Sequence, residues 1–296
     1  MKRFEGIFAV MLTAFDEEGE IDLRAMRHMT NFLVESGVHG LVVLGSNGEC
    51  PYISNRNRKN AVDFVVDACA GRVPVIVGIN ARGLDPALDM AVYAEEAGAD
   101  GLLVALHRFY PLDEEAVLDF YRRLAEGTSL PILYYNFPTH TGLELSPQAI
   151  ARIASEVPSV VGAKETVFDV EEVRQLVEAA GEDFCVFTGM SFNLLPTMER
   201  GACGAICPLP NFVPRLVLDL YEACRDGDRE RAEALQNEVY TYAPLLASSP
   251  IPHATQKEAL RLLGHPINPA VKSPLPQLTP EQAAAVREFL ASKGMV

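Results

Sequence analysis

The chain has 296 residues, 49% of them apolar and 22% charged, ordinary proportions for a globular protein with a large core. Asp and Glu outnumber Lys and Arg by 40 to 25, a net charge of −15, which argues against nucleic acid or an anionic membrane surface as partner, since both need a basic face. No stretch approaches the ~20 apolar residues of a membrane-spanning helix.

Lys2 and Arg3, ahead of the apolar run 7–12, imitate a secretory leader, but Glu5 interrupts the charged region and Asp16-Glu17-Glu18 follows where a small-residue cleavage site is needed. The run reads instead as a first strand, and the acidic triplet as a solvated loop. Short apolar runs recur at 40–44, 75–77, 101–104, 132–135, 160–163, 184–187 and 204–207. An amphipathic stretch of helical period follows each: 23–35, 56–70, 87–97, 114–126, 147–156, 170–180, 192–199 and 214–224. Asp22, Ser54, Asp85, Asp113 and Ser146 stand where N-caps are needed, with Pro86 and Pro147 suited to first turns. Strands that alternate with helices pair in parallel, and parallel sheets are covered on both faces, which explains runs that are apolar throughout. Eight such units close naturally into a (β/α)8 TIM barrel, an α/β fold. The competitor is an open doubly wound sheet, which usually announces a nucleotide site by a Gly-rich first turn. Here that turn is Thr13-Ala14-Phe15-Asp16, and no G-x-G-x-x-G or Walker sequence occurs. Further helices at 229–245, 255–263 and 280–291 divide the chain into a barrel, 1–226, and a C-terminal helical extension packed on it, 227–296. The Pro-rich connection 266–280 reads as an ordered wrap, because apolar residues punctuate it.

Cys50, Cys69, Cys185, Cys203, Cys207 and Cys224 form no C-x-x-C pair and read as buried reduced thiols, which fits a cytoplasmic location. His28, His39, His253 and His265 lack ligand spacing, so no metal role is assigned.

In a barrel the functional groups sit at the C-terminal ends of the strands. Lys164 directly follows the apolar run ending in Ala163. Loss of hydration at a barrel mouth disfavours the charged form of an amine, and the neutral amine is the nucleophile that attacks a ketone to form an imine. A structural lysine paired with Glu165 or another carboxylate is the alternative reading. Tyr135 ends the preceding strand, within reach of Lys164, and a phenol can carry the protons that imine formation requires. Its alternative is an aromatic at the barrel rim. Tyr134 points to the opposite face and packs under the helices. Gly45-Ser46-Asn47-Gly48 forms a tight turn rich in residues that tolerate positive φ, and such a turn can aim backbone N–H groups at a carboxylate. An ordinary βα turn needs glycine too.

The motifs G-S-N-G-E at 45–49, Y-N-F-P-x-x-T-G at 135–142 and G-x-K-E-T at 162–166 together resemble the dihydrodipicolinate synthase/N-acetylneuraminate lyase family. The likeness extends over almost the whole chain, including the opening Gly6-Ile7-Phe8-Ala9-Val10-Met11-Leu12-Thr13 and the C-terminal helices. It implies a class I lyase, independent of metal and cofactor, in which Lys164 forms an imine with pyruvate or a related keto acid. It further implies Tyr135 as acid/base, Ser46 in a hydroxyl relay, donors of Ser46 and Asn47 on the keto-acid carboxylate, and Gly189 and Ile206 lining the pocket. Glu49 is expected to fix the turn. A homotetramer, built as a dimer of dimers, is the implied assembly.

Two departures bear on the second substrate. The synthase branch is expected to carry an arginine before the Thr-Gly of the strand-five loop, where this chain has His140. A neutral imidazole cannot reproduce the bidentate guanidinium fork. With Ser46-Asn47 in place of paired threonines, the pattern looks more like aldolases of hydroxylated 2-keto acids, such as 2-keto-3-deoxygluconate or 4-hydroxy-2-oxoglutarate. After strand four, Leu106-His107-Arg108-Phe109-Tyr110 shifts the tyrosine that in the family reaches a neighbouring subunit. Either Tyr110 or a water completes the relay, and His107 with Arg108 binds the substrate's distal end or forms a solvated rim. Condensation of pyruvate with aspartate semialdehyde, and a keto-acid-binding module without turnover, are the remaining readings.

Overall fold

Every apolar run becomes a strand, and consecutive strands pair in parallel. The computed structural model describes residues 4–296, so Lys2 and Arg3 lie outside the described residues. The strands are β1 (Gly6–Val10), β2 (Gly40–Val43), β3 (Val75–Ala81), β4 (Gly101–Leu106), β5 (Ile132–Asn136), β6 (Val160–Glu165), β7 (Cys185–Thr188) and β8 (Gly204–Cys207). β8 returns to pair with β1 and closes the barrel, which rules out the open sheet.

The outer helices are α1 (Leu23–Glu35), α2 (Asn55–Cys69), α3 (Leu84–Glu96), α4 (Glu114–Glu126), the single turn α5 (Pro138–Thr141), α6 (Pro147–Glu156), α7 (Val170–Ala180), α8 (Leu194–Met198) and α9 (Pro214–Arg225). Asp22, Ser54, Asp113 and Ser146 accept N–H bonds at the starts of α1, α2, α4 and α6. Asp85 does not cap: α3 opens at Leu84 behind Gly83, and Asp85 lies in its first turn, where a carboxylate still suits the helix dipole.

α10 (Arg229–Tyr240), α11 (Ala243–Ala247), α12 (Pro252–Leu262) and α13 (Pro280–Ser292) complete the chain. The helix expected over 229–245 is two helices, because Pro244, with no N–H to donate, sits in the first turn of α11 rather than inside a longer helix. Among the described residues no helix is long and apolar enough to cross a membrane.

Alternation along the strands creates two cores. Phe8, Val42, Ile76, Leu103, Phe187 and Ile206 fill the barrel. Tyr134 faces the outer core, its ring 5.3 Å from that of Tyr121. β3 and β4 run past the ends expected from the apolar runs: Asn80 and Ala81 pair with Ala105 and Leu106, although Gly78 and Asn80 interrupt the apolar pattern.

Candidate active site

Tyr135 and Lys164 are partners in the β5–β6 ladder, both facing the barrel axis. Lys164 Nζ donates to Tyr135 Oη at 3.1 Å, and Ser46 Oγ stands 3.2 Å from the same oxygen. The side chains thus form one line, amine to phenol to hydroxyl, drawn from the ends of β6, β5 and the turn after β2. Lys164 is 3% exposed and, among the described residues, has no carboxylate within ion-pair distance. Glu165 points to the other side of the strand, where Asn136 Nδ2 donates to its Oε2 at 2.7 Å, so the ion-paired reading of Lys164 does not hold.

Glu165 has a consequence of its own. Burial pushes its carboxyl up to about 7, Asn136 opposes the shift, Glu172 adds to it, and Oε1 has no protein partner. The folded state holds this proton more tightly than the unfolded chain, whose reference value is about 4.3. Stability is therefore highest below the unfolded value and falls as pH rises toward about 7, by up to about 3 kcal/mol. Glu165→Gln is expected to be more stable than the parent at pH 8, with the advantage fading toward pH 4. Urea midpoints across that range check it, and parallel profiles for the two proteins would contradict it.

The turn after β2 differs from expectation. Positive φ falls on Leu44 and Glu49, while Gly45, at φ −68°, and Gly48 do not need it. Gly45 is there for space, since a Cβ would come within 2.5 Å of Val10 Cγ1. Gly45 thus shapes the turn and does not line the cavity. Ser46–Gly48 is a 3-10 turn whose leading N–H groups, those of Ser46 and Asn47, have no preceding turn to accept from them. The Asn47 side chain is not free for substrate. Its Nδ2 donates to Val10 O at 3.0 Å and to Gln256 Oε1 at 3.2 Å, and Gln256 Nε2 donates back to its Oδ1 at 3.0 Å. Glu49 fixes the turn to the extension: Lys257 Nζ donates to one oxygen and the Lys272 N–H to the other.

Above the Lys164–Tyr135–Ser46 line opens a cavity of about 510 Å³. Gly189 borders it, and a Cβ there would meet Thr166 Oγ1 at 2.0 Å and Lys164 Cε at 2.9 Å, so glycine leaves room for the lysine stem. The Thr166 hydroxyl is buried without a protein partner. His140 is at the rim, its ring stacked 3.8 Å from that of Phe137. Burial lowers its pKa, which favours the neutral ring. Ile206 lies in the barrel core and does not border the cavity. Arg108 and Tyr110 are not on the wall either. Arg108 braces the neighbouring loop through its N–H to Thr141 O at 2.9 Å, while Phe109 and Tyr110 are 90% and 72% exposed.

Sequence reasoning missed Asn80, near the end of the longer β3, Arg82, just past it, and the cover supplied by the extension, including Ile251, His253, Gln256 and Leu275. A strand read through Gly78 would have exposed the first two. Nothing in the sequence pattern points to the others.

Comparison with known proteins gives a consistent picture. Residues 3–293 match the model of the dihydrodipicolinate synthetase family. A 4-hydroxy-tetrahydrodipicolinate synthase of Nitratidesulfovibrio vulgaris is 31% identical over 99% of this chain and 100% of its own length. A probable 2-dehydro-3-deoxy-D-pentonate aldolase of Escherichia coli K12 is 30% identical over 100% of this chain and 99% of its own. The crystal structure of YagE, an E. coli K12 prophage protein of the dihydrodipicolinic acid synthase family in complex with pyruvate, superposes with a TM-score of 0.95 at 28% identity over 99% of each chain.

Proposed function

The chain belongs to the dihydrodipicolinate synthetase family, whose members are lyases, and we propose that it is a class I aldolase in which Lys164 forms an imine with pyruvate or a 2-keto acid. Its reaction is the reversible cleavage of a 2-keto-3-deoxy sugar acid or a related hydroxy-keto acid. The observation that carries this reading is a buried amine on the wall of a cavity, 3.1 Å from a phenol and with no carboxylate partner among the described residues.

The amine adds to C2 of the keto acid, and the carbinolamine loses water as Tyr135 delivers a proton to the departing oxygen. In the cleavage direction Tyr135 takes the proton of the C4 hydroxyl, the C3–C4 bond breaks, and its electrons are held in the enamine while an aldehyde leaves. Protonation at C3 and hydrolysis then release pyruvate and return the free amine. Ser46 passes the proton to and from Tyr135. The N–H groups of Ser46 and Asn47 and the hydroxyl of Thr166 suit the carboxylate of the bound keto acid.

Condensation of pyruvate with aspartate semialdehyde is the second reading, supported by relatives such as the Nitratidesulfovibrio synthase. His140 weighs against it, because a neutral imidazole lacks the fork that grips a carboxylate. The assembly in this reading is a cytoplasmic homotetramer, and the exposed rings of Phe109 and Tyr110 suit contact with a second copy.

The test is pyruvate release from a panel of 2-keto-3-deoxy sugar acids, run beside condensation with aspartate semialdehyde. Release from a hydroxy-keto acid with little condensation is expected. The reverse ranking would favour the synthase, and binding of pyruvate without turnover on any substrate would reduce the protein to a binding module.

A further inference from the structure

Behind the Tyr135–Lys164 pair lies a second one. β5 and β6 end together, and their last ladder partners are Asn136 and Glu165, next in sequence to Tyr135 and Lys164 and facing the opposite way. Both are buried, and Asn136 Nδ2 donates to Glu165 Oε2 at 2.7 Å. Backbone bonds hold the same two residues: the Thr166 N–H donates to Asn136 O at 2.9 Å, and the Gly189 N–H to Glu165 O at 2.7 Å. Past them the chains part, β5 into the turn of α5 and β6 into the loop before α7.

Packing alone does not call for these residues. The outward-facing partners one step lower on the same strands, Tyr134 and Ala163, belong to the hydrophobic outer core. A carboxyl in that layer is costly unless its bonds are complete. Among the described residues no Lys or Arg pairs with Glu165; the titratable groups coupled to it are Glu172 of α7 and Tyr134 of β5. Two acceptors stay without a protein partner, Glu165 Oε1 and Asn136 Oδ1. One proton on the carboxyl meets both needs. Asn136 then gives an N–H to Oε2 while Oε1–H gives back to Oδ1, the two-bonded ring of a carboxylic acid with a primary amide. Burial, which pushes this carboxyl up to about 7, favours that proton.

We propose that Asn136 and Glu165 are a positioning pair: their side-chain bonds, made behind the sheet with a protonated carboxyl, fix the β5–β6 spacing that holds Tyr135 Oη against Lys164 Nζ. This rests on the imine reading of Lys164. Neither residue touches the substrate; both act through their neighbours in the chain. Ionisation of Glu165 removes the donor from Oε1 and leaves two acceptors facing each other, which loosens one side of the pair.

Exchange of the C3 protons of pyruvate in D2O tests the pair without a second substrate, because exchange needs the imine and its enamine. Asn136→Leu/Glu165→Leu removes both polar groups together, which spares the fold the cost of one stranded partner. Its kcat for exchange should fall about 10- to 100-fold, the range of a small misplacement, with KM changing less. Glu165→Gln can form the same ring with Asn136 and has no proton to lose. Its kcat should recover most of that loss. Lys164 and Tyr135 titrate in both proteins, so the parent-to-Gln ratio of kcat isolates Glu165, and it should fall about three- to tenfold from pH 6 to pH 8. A merely structural pair moves neither the kcat–KM split nor this ratio. Borohydride trapping of pyruvate separates the two layers. Failure of trapping in the parent overturns the imine reading itself. Trapping at Lys164 in all three proteins, with kcat of the double variant within threefold of the parent, overturns the positioning role. A ratio that does not change with pH overturns it too, and that ratio decides alone if the double variant does not fold.

Discussion

Lys164→Met is expected to lose turnover by about 10⁴-fold or more, and Tyr135→Phe by about 10²–10⁴-fold. Methionine keeps most of the lysine stem in the slot beside Gly189, so the fold survives while the nucleophile is gone. Phenylalanine keeps the ring and removes the oxygen that stands 3.1 Å from Nζ and 3.2 Å from Ser46 Oγ. The two losses should differ in kind. Without Lys164 no covalent adduct can form, whereas without the Tyr135 hydroxyl the adduct should form slowly. Steady-state release of pyruvate, with single-turnover trapping beside it, reads both. Activity of Lys164→Met within tenfold of the parent would contradict the assignment.

The largest expected effect on stability lies at Glu49 and Lys257, an ion pair whose side chains are both 0% exposed. Lys257 also donates to Ala270 O at 2.9 Å and stands 4.5 Å over the ring of Phe15, so a single ammonium joins the turn after β2, the first βα loop and the extension. Burial pushes its pKa down and Glu49 opposes the shift. Lys257→Met leaves a buried carboxylate without its cation and should cost about 3–5 kcal/mol. Glu49→Gln should cost a similar amount, because it strands the ammonium. The double variant should recover part of the loss, since two neutral side chains avoid the penalty of one unpaired charge. Urea unfolding of the four proteins closes the cycle. Losses below about 1 kcal/mol in both single variants would mean that the pair does not hold the extension to the barrel.

The barrel was legible because its signal is local and repeated: an apolar run, a cap, an amphipathic stretch. The placement of Lys164 beside Tyr135 was legible for the same reason, since strand alternation and the barrel's strand-end rule bring the two together. The sequence misled where one residue's role depends on a distant partner. The Asn47 side chain looked free to offer its amide to substrate, whereas that amide is bonded to Gln256, 209 positions away. Ile206 lies on β8 and faces inward, into the barrel core rather than onto the cavity wall. The rim showed the sharpest failure. Arg108 and Arg82 occupy neighbouring loops, and only the path of the backbone decides which guanidinium turns toward the cavity. Gly78 and Asn80 hid the second by breaking the apolar pattern that marks a strand, although both residues pair normally in the β3–β4 ladder.

Pyruvate incubation followed by borohydride reduction and peptide mapping tests the chemistry at Lys164 most directly. Imine formation predicts a single reduced pyruvyl adduct on the peptide containing Lys164, near one per chain, and none in Lys164→Met. An unmodified Lys164 in the parent, or an adduct that persists on another lysine when Lys164 is replaced, would contradict it.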